Sequence, residues 1–531
     1  MTRRRFRSKD ERNRKGSDPS AFSASLLRRA RHGIEIAVST AALVGCGSLS
    51  AKTPSLAAGV ASGEHITAAP QMLDIDVVVR PRLGNDPHFE LEVSTRSDDL
   101  PRRFVVQKSW AGEESVLMRI EDLRATCDDK PSELAREDLD THVGWTTPQR
   151  CRRTTLTYRV GGSPEGLDWG NEYEAIVTPT FASAIAETAL ILPDVPDDTR
   201  ARVEVFFDLG EMPGSEGVYS LGKGLHDTTT RALRHAYFAA GKFITITHQV
   251  GQLKLEARFA GNVQFQVDAA MRDLDALLVQ ESQMFSQDAG DTLRLLVVGM
   301  PPAHGSSHGT SLTESASIWI DGTVPWSDED ARLAAHEMFH LYNGQVVRRN
   351  GPDEKTYWLS EGFTEHYTDE LMLRAGAFNA FDWYEAIRYR IRAYESHKDA
   401  ETPNDRAELG WGGSAAQLPY LRGSLIAAFV DYTIRKESKG TRTLDDFMRR
   451  LVVRARSGKP PLDQTEILHL LGEEIGEPAL EVVKSVAIDG KRITLPRDTF
   501  GSCVEVVGSG ADTDLRIRAG VDLVRCVASG R

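Results

Sequence analysis

Hydrophobic and polar positions alternate along much of the first half of the chain. "DIDVVVRPR" (74–82) and "HFELEVSTR" (88–96) put apolar residues at nearly every second position, and "RFVVQKSW" (103–110) runs apolar over a strand's length. That is the period of strands buried on one face, with "GNDP" and "SDDLP" supplying the turns. The texture continues through "TTLTYRV" (154–160), "YEAIVTPTF" (173–181), "TALILP" (188–193) and "RVEVFFDLG" (202–210). It predicts an N-terminal β domain over 70–210, sandwich-like in build. Residues 240–300 mix strands ("FITITHQV", "LKLEARFAG", "LRLLVVGMP") with a helix over "VDAAMRDLDALLVQESQMF" (267–285). From 327 the apolar spacing becomes helical and stays so to about 475. "KSVAIDGKRITLP" and "CVEVVGSG" then read as a short C-terminal β segment over 481–531. The expected fold class is multidomain α+β, a β domain followed by a mostly helical domain over 211–480.

Composition changes the picture only at the N-terminus. The 531 residues exceed what one core can hold, and 40% hydrophobic with 27% charged residues is ordinary for a globular chain. Residues 1–45 hold eleven Lys and Arg against four acids, +7 of a whole-chain −13, which leaves about −20 on the rest. An acidic body argues against a nucleic-acid partner. Arg28, Arg29 and Arg31 precede a short apolar stretch, Ile34 to Gly45, that ends at Cys46. This order predicts an export signal over 1–46, and "LVGC" resembles the lipobox of bacterial lipoproteins, with Cys46 as the lipidated residue. A Ser/Ala/Gly-rich tether over 47–69 would follow. The expected location is the bacterial cell envelope, periplasmic or held by that lipid, which would be the only membrane contact. Cys127, Cys151, Cys503 and Cys526 suit an oxidising compartment; local pairing is preferred among three connectivities.

The chemistry lies in "DEDARLAAHEMFHLYNGQ" (328–345). Ser327 is a candidate N-cap, with three acids in the first turn favoured by the helix dipole. His336 and His340 are i and i+4, so both imidazoles rise from one face and can converge on one ion. Glu337 is placed to take a proton from a water on that ion. A third ligand is available in "YWLSEGFTEHYTDELMLRAG" (357–376), which reads as a second, antiparallel helix. Glu361 completes a two-His, one-carboxylate set suited to one Zn²⁺. Glu365, one turn on, is placed to accept from a ligand imidazole.

"HEMFHLYN" followed by "YWLSEGFTEHYTDELMLRAG" resembles the M61 glycyl aminopeptidase family, relatives of the M1 aminopeptidases among the gluzincins. "LPYLRGSLIAAFVDYTIRKESKGTRTLDDFMRRL" (418–451) resembles a further segment of those enzymes. The resemblance implies a thermolysin-like catalytic domain, peptide or protein substrates, and a Tyr420 hydroxyl that steadies the oxyanion. It also implies a carboxylate that grips a substrate's free amine, for which Glu314 in "HGTSLTESASIWIDG" (308–322) is the stand-in. Roughly fifty residues beyond 480 leave no room for the C-terminal PDZ domain of many relatives. The expected function is an exported zinc metallopeptidase, with aminopeptidase favoured over endopeptidase. An inactive peptidase fold serving as a surface-binding protein is the alternative from another class. Oligomeric state has no signal in the sequence.

Overall fold

The computed structural model describes residues 72–108, 119–161, 175–285, 292–301, 307–351, 355–404, 406 and 415–528. The proposed export signal, Cys46 and the tether lie outside them. The architecture is multidomain α+β, with a β-rich N-terminal domain and a helical C-terminal region.

Strand Leu73–Arg82 buries every second residue, and His88–Arg96 and Arg153–Gly161 do the same. The three sit near the middle of a seven-stranded sheet, in which 73–82 runs antiparallel to 88–96 and parallel to 200–207. Two four-stranded sheets close over the apolar face, and their side chains share one core from Leu73 to Ala240. Strands Glu216–Tyr219, Leu225–Thr229 and Tyr237–Gly241 belong to these N-terminal sheets. The domain therefore reaches Gly241, beyond the boundary at 210 read from the sequence. "YFAAG" is buried throughout, so it carries no alternation to mark it.

The second region is built on a five-stranded sheet in the order 244–250, 253–261, 292–300, 315–321, 308–312. Strand Thr292–Met300 is a near-continuous apolar run because both its faces are covered. Leu293, Leu295 and Val297 face the helices, whereas Leu296, Val298 and Met300 join Phe181, Tyr237 and Trp319 in a core shared with the N-terminal domain. Seven helices of more than ten residues follow or insert among the described residues: Val267–Phe285, Asp328–Phe339, Tyr357–Ala375, Ala380–Ser396, Leu418–Glu437, Leu444–Arg456 and Gln464–Ala487. No described helix is long and apolar enough to cross a membrane.

The C-terminus differs from its sequence reading over "KSVAIDGKRITLP" (484–496), which contains no strand. Leu480, Val483, Val486 and Ala487 continue the buried stripe of Gln464–Ala487, so "KSVA" is the last turn of a helix, and "IDGKRITLP" follows as a turn and irregular chain. The two-stranded sheet there is Val504–Val507 with Asp514–Ile517, followed by a short helix, Leu523–Ala528. Cys127 is bonded to Cys151 and Cys503 to Cys526, with sequence separations of 24 and 23.

Candidate metal centre

The first ligand helix starts where its sequence places it. Ser327 accepts from the Asp330 N–H at 3.3 Å, and Asp330 accepts from the Ser327 N–H at 2.9 Å, a reciprocal capping box. Three turns on, His336 and His340 emerge together, with Nε2 atoms 3.1 Å apart. Glu361 Oε2 lies 3.4 Å from one and 3.2 Å from the other. All three donor atoms fall within 4.8 Å of one another.

Partners behind the rings turn both Nε2 atoms inward. His336 Nδ1 lies 3.2 Å from Glu365 Oε2, and His340 Nδ1 lies 3.4 Å from Thr364 Oγ1. Glu365 is held in turn by Arg332 and by Arg390 (3.2 Å), and both arginines also reach Asp369. Burial works against charge on Glu365, but Arg332 and Arg390 hold its carboxyl well below the usual range. Burial likewise opposes charge on His336, yet Glu361 and Glu365 prevail and push it up to about 10. Two imidazoles and a carboxylate converging in this way are a donor set that fits Zn²⁺.

Asn343 ties the two ligand helices together. Its amide donates to the Leu359 and Ser360 carbonyls at 3.0 and 3.1 Å and to Thr364 Oγ1 at 3.1 Å. The Tyr420 helix then approaches the Glu361 helix through a glycine notch. A Cβ on Gly362 would sit 2.2 Å from Gly423 Cα, and one on Gly423 would sit 2.2 Å from the Trp358 carbonyl oxygen. This backbone contact brings Tyr420 over the cluster, its ring stacked 5.9 Å from His336 at 26°. Edge strand His308–Leu312 forms the opposite wall. Gly309 packs against Glu337, whose Cγ would lie 2.7 Å from any Cβ there.

The structure therefore brings His336, His340, Glu361, Glu337, Glu365 and Tyr420 to one place. Glu314 is not among them. It is exposed in the turn after the edge strand, with φ 50°, and its carbonyl accepts from Arg294 N–H. The rest of the strand, Thr310 to Leu312, and the turn residue Thr313 lie between it and Gly309 in the chain. Position 312, which faces the core, is a buried Leu. The residues that the sequence reading passed over are Asn343, Gly309, Gly362, Gly423, Arg332, Arg390 and Asp369. Only the glycines carried a signal, as single small residues inside otherwise bulky helix and strand patterns.

A sequence model of the M61 glycyl aminopeptidase family matches residues 329–408, the stretch that carries His336, His340 and Glu361. No curated protein matches the chain. Solved structures of M1 and aminopeptidase N family proteins share the fold. An aminopeptidase N family protein from Idiomarina loihiensis superposes with a TM-score of 0.66 at 13% identity, over 79% of this chain and 77% of that one. An M1 zinc metallopeptidase from Deinococcus radiodurans, bound to a Tyr-Ser-Ala substrate, gives 0.53 at 16% identity, over 80% of this chain and 95% of that one.

Proposed function

We propose that this chain is a Zn²⁺-dependent peptidase with a thermolysin-like catalytic region, acting on peptides or proteins outside the cytoplasm. The observation that carries this is the convergence of His336, His340 and Glu361, with Glu337 next to the first imidazole in the helix and Tyr420 stacked on it. When bound, Zn²⁺ supplies a Lewis acid that polarises a peptide carbonyl and lowers the pKa of a water. Glu337 takes the proton of the attacking water and returns it to the leaving amine. The Tyr420 hydroxyl donates to the oxygen on which negative charge develops. Glu365, clamped by two arginines, keeps His336 oriented while this charge moves. Edge strand His308–Leu312, which meets Glu337 at Gly309, is placed to align an extended peptide beside the cluster. The two disulfides support an oxidising compartment, in keeping with the export signal read from the sequence.

Likeness to aminopeptidases favours cleavage from the N-terminus. One observation favours an endopeptidase instead: Glu314, the stand-in for an amine anchor, lies in an exposed turn away from the ligands. Matched peptides with free and acetylated N-termini separate the two, because acetylation abolishes only aminopeptidase action. For the chemistry itself, Glu337→Gln retains one equivalent of zinc by metal analysis and loses at least ~100-fold in kcat, the scale of a missing general base. Undiminished turnover in this variant sinks the mechanism.

A further inference from the structure

An open sheet edge is a template for another strand, and chains guard such edges with charge, proline or short length. Most edges here are guarded. Asp227 sits in the middle of Leu225–Thr229, Lys130–Ser132 contains a lysine and a proline, and Glu216 opens Glu216–Tyr219. Ala135–Asp138 is charged at three of its four positions, and Ile176–Val177 and Leu192–Pro193 are only two residues long. In the C-terminal pair each strand carries an acid, Glu505 or Asp514. His308–Leu312 is the cleft wall, and its Ser311 carbonyl accepts from Gln345 Nε2 at 3.0 Å.

Ile244–Val250 has none of these guards. It is the outer strand of the five-stranded sheet, paired with 253–261 on one side and with no described strand on the other. At seven residues it is the longest edge strand among the described residues, and "ITITHQV" contains no Asp, Glu, Lys, Arg or Pro. Its one titratable side chain, His248, meets Asp275 of helix Val267–Phe285 at 2.6 Å. Ile246 packs into the core on that helix side, so Thr245, Thr247 and Gln249 point to the opposite face. All three are exposed, and Ile244 at the strand's start is 49% exposed. Ala260 and Leu296, further into the sheet, belong to the core shared with the N-terminal domain, which thus stops short of this strand.

We propose that Ile244–Val250 pairs antiparallel with the same strand of a second copy of this chain, about a two-fold axis at Thr247. Pairing centred there sets Ile244 against Val250, Thr245 against Gln249, Ile246 against His248 and Thr247 against itself, so no charge meets its like. This decides between edges in a chain that carries about −20 beyond residue 45, because copies repel wherever acids face acids. The same operation on Leu225–Thr229 would put Asp227 against Asp227. Joining at 244–250 gives one continuous sheet across both copies, with His308–Leu312 at its two outer ends, so both cleft walls stay clear of the contact. A single pair of seven-residue strands buries less than the ~1,200 Å² of a standard interface, so the dimer is reversible.

Sedimentation equilibrium of the full chain over about 1–100 µM shows a monomer–dimer equilibrium with a Kd on the order of 10 µM. Thr247→Asp sets two carboxylates face to face on the axis and weakens association at least ~10-fold, and Thr247→Lys does the same with two ammonium groups. Mixed in equal amounts, these two variants associate at least as tightly as the wild type, because the axis then joins opposite charges. A second measurement reads the register. Oxidised Thr247→Cys gives a disulfide-linked dimer above the wild-type background, whereas Thr245→Cys, which faces the partner's Gln249, does not. A chain that stays monomeric to about 100 µM overturns the pairing. So does a dimer indifferent to Thr247→Asp, a pair of charge variants that ignore each other when mixed, or a link at 245 that forms as readily as one at 247.

Discussion

The two halves of the molecule solve the problem of burial in opposite ways. In the N-terminal domain, strand Leu73–Arg82 buries Leu73, Ile75, Val77 and Val79 and leaves its charged partners at the surface. In the catalytic region, helix Tyr357–Ala375 is buried almost all round, including Ser360, Glu361, Thr364, Glu365, Thr368, Asp369 and Glu370. The first is stabilised by apolar area, which tolerates exchange of one hydrophobe for another of similar volume. The second holds charges that must each be answered by a specific partner, and loss of one partner leaves the others stranded. A fold can thus place its chemistry inside only by giving up the substitutability that its scaffold keeps.

The largest test of that contrast is Arg390→Met. Arg390 is buried and bonded to both Glu365 and Asp369. Its loss costs about 3–5 kcal/mol in urea unfolding of the metal-free protein. Zinc affinity also falls, by roughly tenfold or more, as Glu365 loses its hold on His336. A neutral outcome would mean that the catalytic region is as forgiving as the scaffold. Next comes Gly362→Ala. The new methyl meets backbone, not a flexible side chain, so the two helices part at about 3 kcal/mol by thermal unfolding, and turnover falls as Tyr420 is displaced.

The N-terminal domain contains its own buried acid, which sharpens the comparison. Burial raises Glu187 to about 7 against the lowering pull of Arg234. A folded pKa above the ordinary 4.5 means that the contribution to stability is fully present below pH 4.5 and is lost as pH rises through 7. Relative to Glu187→Gln, the wild type loses on the order of 2–3 kcal/mol between pH 4.5 and 8 in denaturant titrations. A flat difference across that range would place Glu187 in water. The smallest effect belongs to the scaffold's surface. Arg96 and Asp76 pair at 3.0 Å in the open, and Arg96→Ala changes stability by less than about 0.5 kcal/mol.

What could be read from the sequence follows the same division. Alternation over 73–96 and 153–161 is a local property, and it marks strands wherever one face is wet. It fails at "YFAAG", where Tyr237–Gly241 is covered on both sides, and so alternation stops short of the domain's last strand. His336 and His340 are legible because i, i+4 geometry is also local, and Glu361 because a second helix must return antiparallel. Arg332, Arg390 and Asp369 are ordinary charges on helices until the fold shows which carboxylate each one faces. Glu314 misled for the converse reason. Its carboxylate is close in sequence to the expected place, but the hairpin register puts the residue in an exposed turn.

The contact of Gly362 with Gly423 also governs how the cleft can move. Main chain rests on main chain there, with no side chain between to act as a bearing. Glu361 and Tyr420, carried on those two helices, must travel as one rigid piece. Any widening of the cleft to admit a substrate therefore has to come from the opposite wall, where the edge strand is moored to the N-terminal domain through Ser311, Gln345 and Arg231. Admission and chemistry would then be assigned to different parts of the chain, one that yields and one that does not.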